Sequence, residues 1–141
     1  MPLNHDILSD QHLVCAASTG RLAVEDLVGH VELLAADARY RSPMKVLIDL
    51  RASEPSGLGS AAYRMFAAAK VRHLPKLGGE TCAIVASGDL DYGLCRLHAA
   101  HLEPLGLRVE VFRDLQAAMD WLELVAQPAI EAALEPLARV S

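Results

Sequence analysis

Asp49 sits near the C-terminal end of the run Lys45-Val46-Leu47-Ile48-Asp49-Leu50-Arg51, an apolar, β-branched pattern that predicts a buried strand. A carboxylate at the end of such a strand must be held, because burying an unpaired charge is costly. Two roles fit it. It is a site carboxylate at a strand end, or it is a structural acceptor for loop amides, a helix N-terminus or the nearby Arg51. Either way its expected partners are the amides of residues 51–60 or the Arg51 guanidinium. The following loop carries Ser53, Pro55, Ser56, Gly57 and Gly59 and feeds a helix whose N-terminus could hold an anion. It has no Walker lysine and no Gly-x-Gly-x-x-Gly directly after a strand, so it lacks a nucleotide motif and also reads as a flexible turn.

The remaining chemistry-bearing groups are more dispersed. Cys95, His98 and His101 lie three apart on one predicted helix. Ligands on a helix need one face, and successive steps of three drift by about 60° each, so no metal site is expected. There is no Gly-x-Ser-x-Gly elbow, and Ser87-Gly88-Asp89 reads as a helix cap through Ser87 or Asp89. Tyr92-Gly93, in the first turns of the same helix, leaves room for close approach by a loop or ligand, or serves helix–sheet packing. No nucleophile–base pair emerges, so neither catalytic residues nor a cofactor are expected. The candidate interaction site comprises Asp49, Arg51, Ser56, Gly57, Ser87 and Tyr92.

These side chains depend on a chain of 141 residues, the size of one domain with a real core, taken here as residues 1–141. It is 52% hydrophobic but only 4% aromatic, so Leu, Val and Ala must fill the interior. With a net charge of −5 and no basic stripe, nucleic acid is not an expected partner. No signal-peptide pattern opens the chain, and no apolar run is long enough to span a bilayer. The three widely spaced cysteines, Cys15, Cys82 and Cys95, read as buried, reduced thiols in a cytoplasmic protein.

In chain order, residues around Asp10-Gln11 read as a hairpin. Val24, Leu27, Val28, Val31, Leu34, Ala35 and Ala38 recur at helical spacing, and Pro43 is the expected stop. After the Asp49 strand comes a helix from about 59 to 73, with Ala62, Met65, Phe66 and Ala69 inward. Thr81-Cys82-Ala83-Ile84-Val85-Ala86 is apolar on both faces, as a central parallel strand is. The next helix carries Leu90, Leu94, Leu97 and Leu102. Leu107, Val109 and Val111 alternate with Arg108 and Glu110, predicting an edge strand. Asp114 caps a helix through Trp121, and Pro128 opens a last one over about 128–139, kinked or shortened at Pro136. Strands alternating with helices predict an α/β fold with a mostly parallel sheet of five to six strands, hairpin-edged, with helices packed on it.

The order and spacing of several segments resemble the SpoIIAA-like family, related to the STAS domains of anti-sigma-factor antagonists. They are Gly20-Arg21-Leu22 before Glu25-Asp26-Leu27, Tyr40-Arg41-Ser42-Pro43, the run from Val46 to Arg51, Ala83-Ile84-Val85-Ala86-Ser87, Tyr92-Gly93, and Val111-Phe112-Arg113-Asp114 leading to Ala118 and Trp121-Leu122. The resemblance spans about residues 13–124. It implies a βα superhelix, the fold shared with STAS and CRAL-TRIO lipid-binding domains. It also implies a non-enzymatic regulatory module with a protein partner, or alternatively a binder of a small lipophilic or anionic ligand. STAS regulators are switched at a serine in an Asp-Ser-Ser-Gly loop. This chain has Glu54-Pro55-Ser56-Gly57-Leu58-Gly59, with proline at the phosphoacceptor position, so no regulatory phosphorylation is expected there.

Beyond that region, Ile130, Ala133, Leu134 and Leu137 make an apolar stripe that needs a cover. It folds back onto its own domain or forms an isologous homodimer.

Overall fold

Three strands that are apolar on both faces, with a fourth at the edge that turns Arg108 and Glu110 to solvent, form the parallel part of one sheet, and the helices between and after them cover both of its faces. The computed structural model describes residues 3–54 and 58–139. Pro55, Ser56 and Gly57, on which the phosphoacceptor comparison and part of the candidate site rest, lie outside the described residues. The elements are β1 (Leu3–Leu8), β2 (Leu13–Ser18), β3 (Gly20–Arg21), α1 (Val24–Ala36), β4 (Lys45–Asp49), β5 (Ser53–Glu54), α2 (Ser60–Arg72), α3 (Leu74–Leu77), β6 (Thr81–Val85), α4 (Asp89–Leu102), β7 (Arg108–Phe112), α5 (Leu115–Trp121) and α6 (Gln127–Arg139).

The five-stranded sheet has the order β1-β2-β4-β6-β7. β1 pairs antiparallel with β2 as the expected hairpin, and the other pairings are parallel. The hairpin and the strands expected over Lys45–Arg51, Thr81–Ala86 and Leu107–Val111 are all present, with β6 internal and β7 at the edge. Side-chain alternation then separates two cores. Val14, Ala16, Val46, Ile48, Cys82 and Ile84 face α1, α2 and α4. Leu13, Cys15, Ala17, Leu47, Ala83 and Val85 face α5 and α6. The last helix therefore folds back within its own chain, burying Ile130 and Leu134. No described helix is long and apolar enough to cross a membrane.

Several boundaries and faces differ from the sequence reading. α1 ends at Ala36, well before Pro43, because the Asp37 carboxylate accepts the Arg39 amide at 2.9 Å and so favours a turn over another helical residue. On α2 the buried face is Tyr63, Phe66, Ala69 and Lys70, while Met65 is exposed. On α4 the buried line is Cys95, His98 and Leu102, and Leu90 and Leu97 face solvent. Both misassignments have one cause: the inner faces carry Lys, Cys and His, which a search for apolar spacing passes over. Neither Ser87 nor Asp89 caps α4, because the helix begins at Asp89 itself and Gly88 holds the capping position. Asp114 does cap α5, accepting the Ala117 amide at 2.8 Å. α6 runs on through Pro136 and is not shortened there.

Candidate functional site

The strand period places Lys45, Leu47 and Asp49 on the α5–α6 side of the sheet. Asp49 ends β4 and is 8% exposed. Its Oδ1 accepts the Arg51 amide at 3.1 Å and Arg51 Nε at 2.9 Å, and Oδ2 accepts Arg51 Nη2 at 2.9 Å. This bidentate fork satisfies the carboxylate as anticipated and raises the guanidinium above its ordinary value, chiefly through that hydrogen bond, with Glu131 and Asp114 adding to it.

A tight turn keeps Arg51 in place. The Ser53 amide and hydroxyl both donate to the Leu50 carbonyl, at 3.1 and 2.7 Å. β5 then pairs with β3, tying the exits of β2 and β4 together, and Gly20 turns into this ladder with φ of 71°. That left-handed conformation favours glycine.

In front of Asp49 lies an open cleft of about 870 Å³ at the carboxyl end of β4, between the start of α5 and α6. Leu115, Leu134 and Ala138 give it apolar surface, and Asp114, Glu131, Glu135 and Arg139 surround it with charge. Arg139 is paired with Glu135, one turn earlier on α6. The cleft thus carries an apolar patch beside two ion pairs, Asp49–Arg51 and Glu135–Arg139, with Asp114 and Glu131 adding negative charge, an arrangement suited to binding a surface.

Of the residues singled out from sequence, Asp49 and Arg51 line the cleft. Ser87 and Tyr92 sit beyond it at the carboxyl end of β6 and are joined to it through Arg113, the neighbour of Asp114. The Arg113 guanidinium lies 4.3 Å from the Tyr92 ring centroid, 3.4 Å from the Ser87 carbonyl and 2.7 Å from Asp89 Oδ1. Gly93 faces open space. Ser56 and Gly57 are outside the described residues. Sequence reasoning missed the far wall, Glu131, Glu135 and Arg139. The amphipathic stripe of α6 was legible, but nothing in it said that the helix would lie across β1 and β2 beside Asp49.

A second polar group is buried under α1, α2 and α4. Lys70 Nζ lies 3.4 Å from Glu80 Oε1, and both side chains are 3% exposed. Tyr40 donates to Glu80 Oε2 at 3.3 Å. Lys70 also sits 4.8 Å from the Phe66 ring centroid, and His98 stacks on that ring at 4.4 Å, 1° from parallel. Burial works against the ammonium of Lys70, and its neighbours, Cys82 and Glu80, more than offset this, leaving it raised. The Cys95 thiol is 3.8 Å from the Tyr63 hydroxyl, while His101, the third member of the histidine spacing, is exposed.

Asp49→Ala is expected to lower unfolding stability by about 1–3 kcal/mol, since it strips a largely buried acceptor from the Arg51 amide. The value lies toward the lower end because the Arg51 side chain is 42% exposed and water takes over part of its solvation. Chemical denaturation checks this, and an unchanged midpoint would leave Asp49 without a structural role.

No protein-family model matches the chain, and no curated protein matches it. Among solved structures it is similar to an uncharacterized protein of the DUF3478 family from Shewanella loihica PV-4, described with a SpoIIAA-like fold. The two share 22% sequence identity, with 85% of this chain and 91% of that one covered and a TM-score of 0.51. At that identity the likeness speaks to architecture, and with the sequential parallel sheet, its antiparallel edge hairpin and helices on both faces it establishes the conclusion that this chain has a SpoIIAA-like fold.

Proposed function

We propose that the protein is a non-enzymatic, regulatory STAS-like module that engages a protein partner at the cleft beside Asp49. The supporting observation is the cleft itself: apolar surface from Leu115, Leu134 and Ala138 set among the Asp49–Arg51 and Glu135–Arg139 ion pairs and the acids Asp114 and Glu131 at the carboxyl end of a parallel strand. That end of an α/β sheet is where binding sites concentrate. Arg113 and Tyr92 extend the same edge, so a partner spanning both would use Asp49, Arg51 and Tyr92 together.

Glu131 is exposed and outside the Asp49–Arg51 fork, so Glu131→Lys alters the cleft without touching the core. A bait of the wild-type chain is expected to retain one stoichiometric protein, and the variant to lose at least about 1.4 kcal/mol of that affinity, a tenfold change. Its melting curve should stay the same. Equal retention by both would remove the cleft from the reading.

A second reading is a carrier of a small lipophilic or anionic ligand, as the resemblance to CRAL-TRIO domains implies. It is favoured by the cleft volume of about 870 Å³, which lies within the usual range of small-molecule sites. Native mass spectrometry separates the two: a retained small molecule with no stoichiometric protein supports the carrier.

A further inference from the structure

We propose that α6 exchanges between two copies of this chain, so that each cleft is completed by the other copy. The linker joining α5 to α6, residues 122–126, holds two non-glycine residues in left-handed backbone, Glu123 with φ of 56° and Ala126 with φ of 55°. Glu123 occupies the position that glycine usually takes at a helix end. Its amide donates to the Asp120 carbonyl at 3.0 Å and the Leu124 amide to the Met119 carbonyl at 3.0 Å. Ala126 opens α6, its carbonyl accepting from the Ala129 and Ile130 amides.

Side chains with a Cβ are strained in this region, so the compact linker is held against its own preference. What holds it is the seating at both ends. Leu122 and Leu124 are buried, the Leu122 carbonyl accepts from Lys45 Nζ, and Ile130 and Leu134 are buried against the sheet face of Leu13, Cys15 and Ala17. None of those contacts requires that α6 belong to the same molecule. An extended linker releases both left-handed residues in each copy, and α6 then seats on the other copy's β1 and β2 with the same contacts. Short hinges under strain favour this exchange. Glu131 and Glu135 of one copy would then face Asp49 and Arg51 of the other, whatever the cleft binds.

The test uses the full chain, refolded at high and low concentration and sized by light scattering. Wild type is expected to form a dimer that persists on dilution, and deleting the exposed Val125 to increase it. Glu123→Gly/Ala126→Gly is expected to lower dimer formation at least about tenfold, because glycine accepts the compact linker without strain. Exchange is separated from simple association by joining Asn4→Cys to Pro136→Cys with a short bismaleimide. Asn4 Nδ2 donates to the Leu137 carbonyl at 3.1 Å, so these positions are adjacent. Links between chains in the dimer support exchange, and links only within chains overturn it. So does a chain that stays monomeric at every concentration. Should the deletion fail to fold, the wild type and the double-glycine variant still decide the matter: equal dimer fractions in the two overturn the proposal.

Discussion

Lys70→Met is expected to destabilise the protein by about 3–5 kcal/mol, because it leaves the Glu80 carboxylate in the core without its counter-ion. Tyr40 alone would then hold Glu80, through one hydrogen bond of 3.3 Å. The pair itself need contribute little, since taking two charges out of water offsets most of their attraction. The decisive measurement is therefore a cycle. Glu80→Gln keeps an acceptor for Tyr40 and removes the charge, so Lys70→Met/Glu80→Gln should recover more than half of the loss. If the double variant is as unstable as the sum of the singles, the two charges are not coupled.

Acidification below pH 6.5 should unfold the protein with an unusually steep slope for its size. His30 and His98 are buried, and His30 Nδ1 has no hydrogen-bond partner among the described residues. Burial pushes His30 down to about 3, helped by His5 and Lys70. His98 is held well below its ordinary value by burial first and then by Lys70. Both folded-state values lie below the unfolded one, so the unfolded chain binds the extra protons. Their contribution is fully present above about pH 6.5 and is lost as pH falls toward the folded values. Each histidine adds about 1.4 kcal/mol per pH unit in that window, roughly 2.7 for the pair.

The alkaline flank has the opposite sign. Burial pushes Cys15 and Cys82 up to about 12 and Cys95 to about 11, so their contribution is present below pH 9 and is lost as pH rises through those values. Denaturation midpoints across pH 4.5–7.5 check the acid side. His98→Leu should remove about half the slope, and an unaltered slope would mean that His98 is not neutral in the fold.

How much of this was readable before the fold is clearest residue by residue. Val46-Leu47-Ile48-Asp49 announced both a strand and the need for a partner, and Arg51, two residues away, could be named because the contact is local. The alternation of Arg108 and Glu110 with Leu107, Val109 and Val111 placed β7 at an edge. The burial of Lys70, Glu80 and His98 was invisible, since each is a polar residue made internal only by partners at long range. The cleft was half legible for the same reason: Asp49 and Arg51 are near in sequence, whereas Glu131 reaches them only because α6 crosses back over the sheet. Met65 faces solvent and Tyr63 and Lys70 hold the inward face in its stead, because a lysine with an apolar stem fits a buried face once a carboxylate waits there.

The three thiols described above are divided between the two layers, and this makes them chemical clocks for separate motions. Cys15 lies under α6, whereas Cys82, on β6, and Cys95, on the inner face of α4, lie in the layer formed with α1, α2 and α4. A thiol reagent reaches a closed core only when that layer opens, and its rate of uptake measures the opening free energy of the layer alone. Cys15 therefore times the lifting of the terminal helix, and the other two time the parting of the opposite layer. One unmodified sequence reports on both without a label being added.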